Sequence, residues 1–217
     1  MTSTTSPGAA IDATHTRVLQ DRVILCLRLS DPAVVLDACR AAIRGGLEIL
    51  ELTLTTPGAL EVMAQLAAEN AAVVGAGTVL SVQDVERVAE AGGRFAMSPV
   101  FDAEVVAAAH QHGLLAVPGA ATPGEILAAY RSGAKMVKVF PAAALGGPLF
   151  LKAVRGPLPD IPLVPTSGPT ADTLAEYFAA GACAVGIGGE VFPPGFTLEH
   201  VEQAARRVRR AVEAVAL

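Results

Sequence analysis

The chain has 217 residues, a net charge of −5, and 52% hydrophobic but only 4% aromatic residues. That length suits one domain with a sizeable core. The acidic balance, without a basic stripe, argues against a nucleic-acid partner, and no apolar run approaches the roughly 20 residues of a membrane span. Residues 1–14 are rich in Thr, Ser and Ala, with no cationic start and no apolar stretch. They are expected as a flexible tail rather than a signal peptide, which leaves 15–217 as the folded domain. Cys26, Cys39 and Cys183 are odd in number and widely spaced, and read as free thiols of a reducing, cytoplasmic environment.

Short apolar runs predict strands over 23–28, 48–53, 72–77, 94–98, 114–117, 135–139, 162–166 and 183–187. Helix starts are signed between them. Asp31-Pro32 and Thr56-Pro57 each place an N-cap before an N1 proline. Ser81 and Asp102 are N-cap residues by type, and Thr122-Pro123-Gly124-Glu125 is a capping box. Thr170 and Thr197 are expected to open the last two long helices. Gly45-Gly46, Gly92-Gly93, Gly113, Gly133 and Gly181 supply the stops. Eight strands, each followed by a helix, predict a single-domain (β/α)₈ TIM barrel. An open doubly wound sheet permits the same alternation, but the strand count favours the barrel.

In such a barrel, chemistry sits at the C-terminal strand ends, so polar residues are sorted by strand and parity. Strand six carries the anomaly, a lysine in an apolar run. Met136, Lys138 and Phe140 share one face, and Lys138 lies just before the Phe140-Pro141 exit. A buried unpaired ammonium is costly, and lysines so placed often have lowered pKa values and act as amines. Lys135 opens the same strand and reads as solvated. Glu51 shares a face of strand two with Ile49, Thr53 and Thr55 and is a candidate general acid/base. A purely structural Lys138–Glu51 pair is the competing reading.

The remaining candidates line the same rim. Arg28 ends strand one and could grip a carboxylate or phosphate. Strand three ends Gly75-Ala76-Gly77-Thr78, and strands four and five end in Ser98-Pro99 and Pro118-Gly119. Strands seven and eight end in Thr166-Ser167-Gly168 and Gly186-Ile187-Gly188-Gly189, the usual place for a phosphate in a barrel. The four histidines are scattered, and no metal cluster, nucleophile elbow or CxxC motif is visible.

Taken in order, these blocks resemble the 2-keto-3-deoxy-6-phosphogluconate (KDPG) and 4-hydroxy-2-oxoglutarate (KHG) aldolase family. They are Gly45-Gly46, Glu51-Leu52-Thr53-Leu54, 75–80, Phe95 to Pro99, Val117-Pro118-Gly119, Val137 to Pro141, Pro165 to Gly168 and Gly186 to Gly189. The resemblance implies a cytoplasmic class I aldolase that needs no cofactor or metal, takes a small-molecule keto acid or phosphosugar, and assembles as a homotrimer. It implies Lys138 as the Schiff-base lysine and Glu51 as the proton shuttle. Thr78, Pro99 and Phe140 match the pyruvate end, Thr166 the sugar-hydroxyl end, and Gly168, Gly188 and Gly189 the phosphate end.

Two departures bear on substrate. The best-known branch has an Arg at the position of Thr55 to hold the pyruvate carboxylate. Branches acting on the galactonate epimer resemble this chain instead, with a neutral residue there and an Arg ending strand one, as Arg28 does. At the phosphate end Ser167 stands where Gly is frequent and Glu190 where Ser is frequent. The expected reaction is cleavage of KDPG to pyruvate and glyceraldehyde 3-phosphate. The galactonate epimer and 4-hydroxy-2-oxoglutarate are alternative substrates. A metal-dependent retro-aldolase, a phosphosugar epimerase and a non-catalytic phosphosugar-binding barrel are more remote.

Overall fold

The computed structural model describes residues 6–215. Every predicted strand forms: β1 (Val23–Leu27), β2 (Ile49–Thr53), β3 (Val73–Gly77), β4 (Phe95–Met97), β5 (Leu115–Val117), β7 (Val137–Val139), β8 (Leu163–Pro165) and β9 (Val185–Ile187). One further strand, β6 (Gly119–Ala120), follows β5 across Pro118. Proline has no N–H to give to the ladder, so the fifth barrel strand is written as two short pieces.

All pairings are parallel, in the orders β5-β4-β3-β2-β1-β9 and β6-β7-β8. The two sheets meet at two seams. One is the β5–Pro118–β6 continuity, and the other is the pair of bridges Leu163–Ala182 and Thr166–Gly186 between β8 and β9. The result is the expected barrel, with its ring irregular at the seams.

Strand alternation sorts two cores. Outward residues such as Leu25, Leu50, Leu52, Val137 and Leu163 pack under the helices. Inward residues Ile24, Ile49, Phe95, Met97, Leu115, Val117, Met136 and Val164 fill the lower barrel. Above them, along the same inward parities, the side chains turn polar.

The helices correct three expectations. Residues 7–14 are not tail: α1 (Pro7–Asp21) starts there, capped by Ser6 with Pro7 in its first turn. Ser6-Pro7 is the same cap signal as Asp31-Pro32, and was masked by the polar composition around it. Residues 1–5 of the expected tail lie outside the described residues. The inner barrel core would otherwise open to water at its N-terminal end, and Ile11 and Val18 of α1 join it. Lys135, at that end, pairs with Asp12 at 2.8 Å.

Thr56 does not cap α3 (Ala59–Glu69), whose N-cap is Gly58. The Thr56 hydroxyl instead accepts from Leu29 N at 3.2 Å. The helix expected from Thr170 begins later and is short, α8 (Leu174–Ala179), because Thr173 bonds Thr170 first. The other signs hold: Asp31, Ser81 and Asp102 cap their helices, and Thr122 with Glu125 closes a capping box. Thr197 accepts from His200 N at the start of α9 (Leu198–Val215). No helix among the described residues is long and apolar enough to cross a membrane.

His15 on α1 has a buried Nε2 with no hydrogen-bond partner. Burial lowers its pKa below the ordinary 6.5, and Lys135 nearby adds to the effect. The folded protein therefore resists a proton that the unfolded chain accepts. Stability should be level above about pH 6.5 and fall as pH drops through it. Denaturant midpoints between pH 8 and pH 5 (about one and a half units either side of that value) measure this, and His15→Leu should flatten the fall.

Candidate active site

β2 and β7 stand on opposite walls of the ring, and both send a charged side chain inward. Lys138 Nζ lies 3.2 Å from Glu51 Oε1, with both residues almost wholly buried at 6% and 1% exposure. Register sets the heights: Lys138 pairs across the ladder with Gly119 and Val164, and Glu51 with Cys26 and Gly75. Glycines make the room. A Cβ on Gly77 would overlap the Glu51 carboxylate, with Cδ at 2.7 Å, and one on Gly75 would strike Phe95 at 2.5 Å. Gly77 thus leaves the space into which the carboxylate folds, and Gly75 the space for the Phe95 ring below it.

The protonation of this pair differs from the sequence expectation. Burial pulls the Lys138 pKa down, but Glu51 and Cys26 beside it together outweigh burial and hold the amine above its ordinary value. In the resting protein Lys138 is an ammonium. A free amine at Nζ would require passing a proton on, and Glu51 Oε1 is within reach to take it. The face of the Phe140 ring lies 5.5 Å from Nζ and adds to the stabilisation of the cation.

Around the pair opens a cavity of about 610 Å³, ample for a sugar acid. Its lining includes Arg28, Glu51, Lys138, Phe140 and Thr166. Arg28 donates to Thr55 Oγ1 at 2.7 Å and to Thr78 Oγ1 at 3.2 Å. Thr55 and Thr78 thus hold the guanidinium and do not themselves line the cavity. Thr78 holds a left-handed backbone, φ 61°, and so does Ser167, φ 64°. Such conformations in non-glycine residues cluster at functional sites.

The far end is built from Ser167, Gly168, Gly188 and Gly189, all on the cavity wall. A Cβ on Gly188 would meet Cys26 O at 2.6 Å, and one on Gly168 the Tyr177 hydroxyl at 2.7 Å. Glu190 also lines the cavity, but its carboxylate accepts from Ala171 N at 2.7 Å, which ties the β8 loop to the β9 loop. Pro99, like Thr55 and Thr78, is not on the cavity wall; its carbonyl is packed where Gly119 lacks a Cβ. Among the described residues no group of three or more His, Cys, Asp or Glu is placed to hold a metal.

The family model described as KDPG and KHG aldolase matches residues 14–206. The chain belongs to this family. It is an aldolase, a carbon–carbon lyase. It is similar to a probable 2-dehydro-3-deoxy-6-phosphogalactonate aldolase of Rhizobium meliloti, 34% identical over 197 residues, 89% of this chain and 92% of that protein. Among solved structures it resembles a native KDPGal structure, with a TM-score of 0.83 at 30% identity, covering 89% of this chain and 95% of that one. It also resembles a KDPG aldolase from Legionella pneumophila with pyruvate captured as a covalent carbinolamine intermediate, with a TM-score of 0.77 at 30% identity, covering 97% and 98%.

Several cavity residues of this aldolase escape a sequence reading. Cys26 reads as an ordinary buried thiol, yet it lines the cavity, as do Thr53, Thr170 and Phe192. Parity could have found Cys26, which alternates with Ile24 and Arg28 on the inward face of β1. Phe192 follows no strand pattern and had no signal.

Replacing Glu51 with Gln removes the carboxylate that holds the ammonium while leaving the burial that opposes it. The pH dependence of borohydride trapping with pyruvate should then move to lower pH than in the unaltered chain. A shift upward, or none, counts against this account of Lys138.

Proposed function

We propose that the chain is a class I, Schiff-base aldolase cleaving a 2-keto-3-deoxy-6-phospho sugar acid, KDPG, to pyruvate and glyceraldehyde 3-phosphate. The observation that carries this reading is the buried Lys138–Glu51 pair, 3.2 Å apart across the barrel and open to the cavity. A carbon–carbon cleavage next to a ketone needs an electron sink and a proton acceptor, and an amine beside a carboxylate supplies both. The Legionella relative, with pyruvate held as a carbinolamine, supports the same chemistry.

In this mechanism Lys138 gives a proton to Glu51 and attacks the C2 ketone. Glu51 hands that proton to the carbinolamine hydroxyl, which leaves as water, so that the iminium forms and the carboxylate is free again. Glu51, directly or through water, takes the proton of the C4 hydroxyl. The C3–C4 bond breaks, the aldehyde leaves, and the bonding electrons pass through C3 and C2 to the nitrogen as an enamine. Glu51 returns a proton to C3, and water hydrolyses the imine to free pyruvate and Lys138. The scheme requires no cofactor or metal.

Arg28, aimed by Thr55 and Thr78, binds the substrate carboxylate, and Phe140 flanks the reacting carbons, with Pro99 supporting that end from behind. Thr166 takes a sugar hydroxyl. Ser167, Gly168, Gly188 and Gly189 take the phosphate through backbone amides and a hydroxyl. The galactonate epimer is the second reading, and one arrangement favours it: Arg28 donates to a neutral Thr55, the pattern of the galactonate-type branch. We assign the cytoplasm as compartment on the three free cysteines. We assign a homotrimer on the family resemblance. Leu80, Val100 and Leu149, more than half exposed, are apolar side chains suited to a subunit contact.

Borohydride reduction with pyruvate should mark Lys138 and fail in Lys138→Ala; an adduct on another residue, or none in the unaltered chain, overturns the scheme. Arg28→Gln loses a charge-assisted hydrogen bond of about 1.5–3 kcal/mol, so kcat/KM should drop about 10- to 100-fold, mainly through KM. Comparing kcat/KM on KDPG, its galactonate epimer and 4-hydroxy-2-oxoglutarate ranks the substrates.

A further inference from the structure

The Glu51 carboxylate is held at both oxygens. Lys138 Nζ donates to Oε1 at 3.2 Å, and the Cys26 thiol donates to Oε2. Cys26 stands beside Glu51 in the β1–β2 ladder, points to the barrel interior and lines the cavity. The mechanism above gives it no task. Gly77, on the other side of the carboxylate, leaves room for it rather than holding it. Among the described residues the hydrogen bonds to this carboxylate come from Lys138 and Cys26 alone.

The two contacts do not survive the reaction equally. When Lys138 condenses with the ketone, its ammonium gives up two of three N–H bonds and the nitrogen becomes bonded to substrate. The grip on Oε1 therefore loosens at the stage when Glu51 must move protons. The S–H bond takes no part in that condensation. Burial, reinforced by Glu51, keeps the Cys26 pKa well above the ordinary thiol value, so the group stays a donor rather than a competing thiolate.

We propose that Cys26 is a positioning residue that anchors Oε2 of Glu51 through the imine stage and leaves Oε1 to exchange protons with the substrate. This rests on the imine reading given above. It predicts a split between two steps that pyruvate alone reports. Imine formation belongs to Lys138 and is read by borohydride trapping. Proton exchange at the methyl carbon of bound pyruvate belongs to Glu51 and is read by NMR in deuterated water.

Cys26→Val keeps an apolar side chain of similar size but donates nothing, and Cys26→Ser keeps a donor. In Cys26→Val the exchange rate should fall about tenfold or more, the effect of losing one hydrogen bond to a charged group, with trapping within about twofold of the unaltered protein. Cys26→Ser should recover most of the exchange. Thermal melts of all three proteins show whether each is folded under assay conditions. Exchange in a folded Cys26→Val within twofold of the unaltered rate, trapping and exchange falling together, or no recovery in Cys26→Ser would each overturn the proposal. An unaltered protein that neither traps nor exchanges pyruvate removes the imine reading, and this proposal with it.

Discussion

A lysine and a glutamate meet in the interior of the barrel, 87 positions apart in sequence and 3.2 Å apart in space. Their gross attraction at that distance is on the order of 5 kcal/mol at an effective dielectric near 20. Removing two ions from water costs several kcal/mol each. The pair is therefore near balance and stabilises the fold little, but losing one partner strands the other charge. The surroundings follow from this constraint: a glycine at 77 to admit the carboxylate, a thiol on its second oxygen, and an aromatic face near the amine.

The same near-balance sets the chemistry available. A lysine held as an ammonium is not a nucleophile, yet its proton acceptor is already in contact. In the proposed mechanism, entry of a ketone needs only a short transfer within the pair, with no charge exported to solvent. Burial alone would have delivered a free amine, but without a carboxylate beside it to move protons afterwards. On that mechanism the barrel exchanges a readier nucleophile for a paired acid and base.

The rim is organised differently from the centre. Arg28 is held by two hydroxyls rather than a carboxylate, so its charge is oriented without being neutralised. At the opposite end Glu190 binds a backbone amide of the neighbouring loop. Its charge is thereby partly satisfied by that amide. Of the non-glycine residues with left-handed backbone, Thr78 holds Arg28 and Ser167 lines the cavity.

Strand parity was legible in the sequence because a barrel strand has only an inside and an outside. Ile49-Glu51-Thr53 and Met136-Lys138-Phe140 declared the charged residues on the inward faces, and the eight strands and most caps could be read from local chemistry. The helix at the N-terminus was missed because its signal, Ser6-Pro7, sits in a polar run, while the reason for the helix, an open barrel end needing Ile11 and Val18, exists only once the ring is formed. The direction of the Lys138 pKa belonged to the tertiary structure as well, since it depends on how close a carboxylate from the opposite wall comes. The same holds for Cys26: the sequence supplied an inward thiol, and only the β1–β2 register decided that it would lie against Glu51. Sequence determined which residues face inward; the closing of the ring determined which of them touch, because contact between opposite walls is set by register and barrel radius rather than by local pattern.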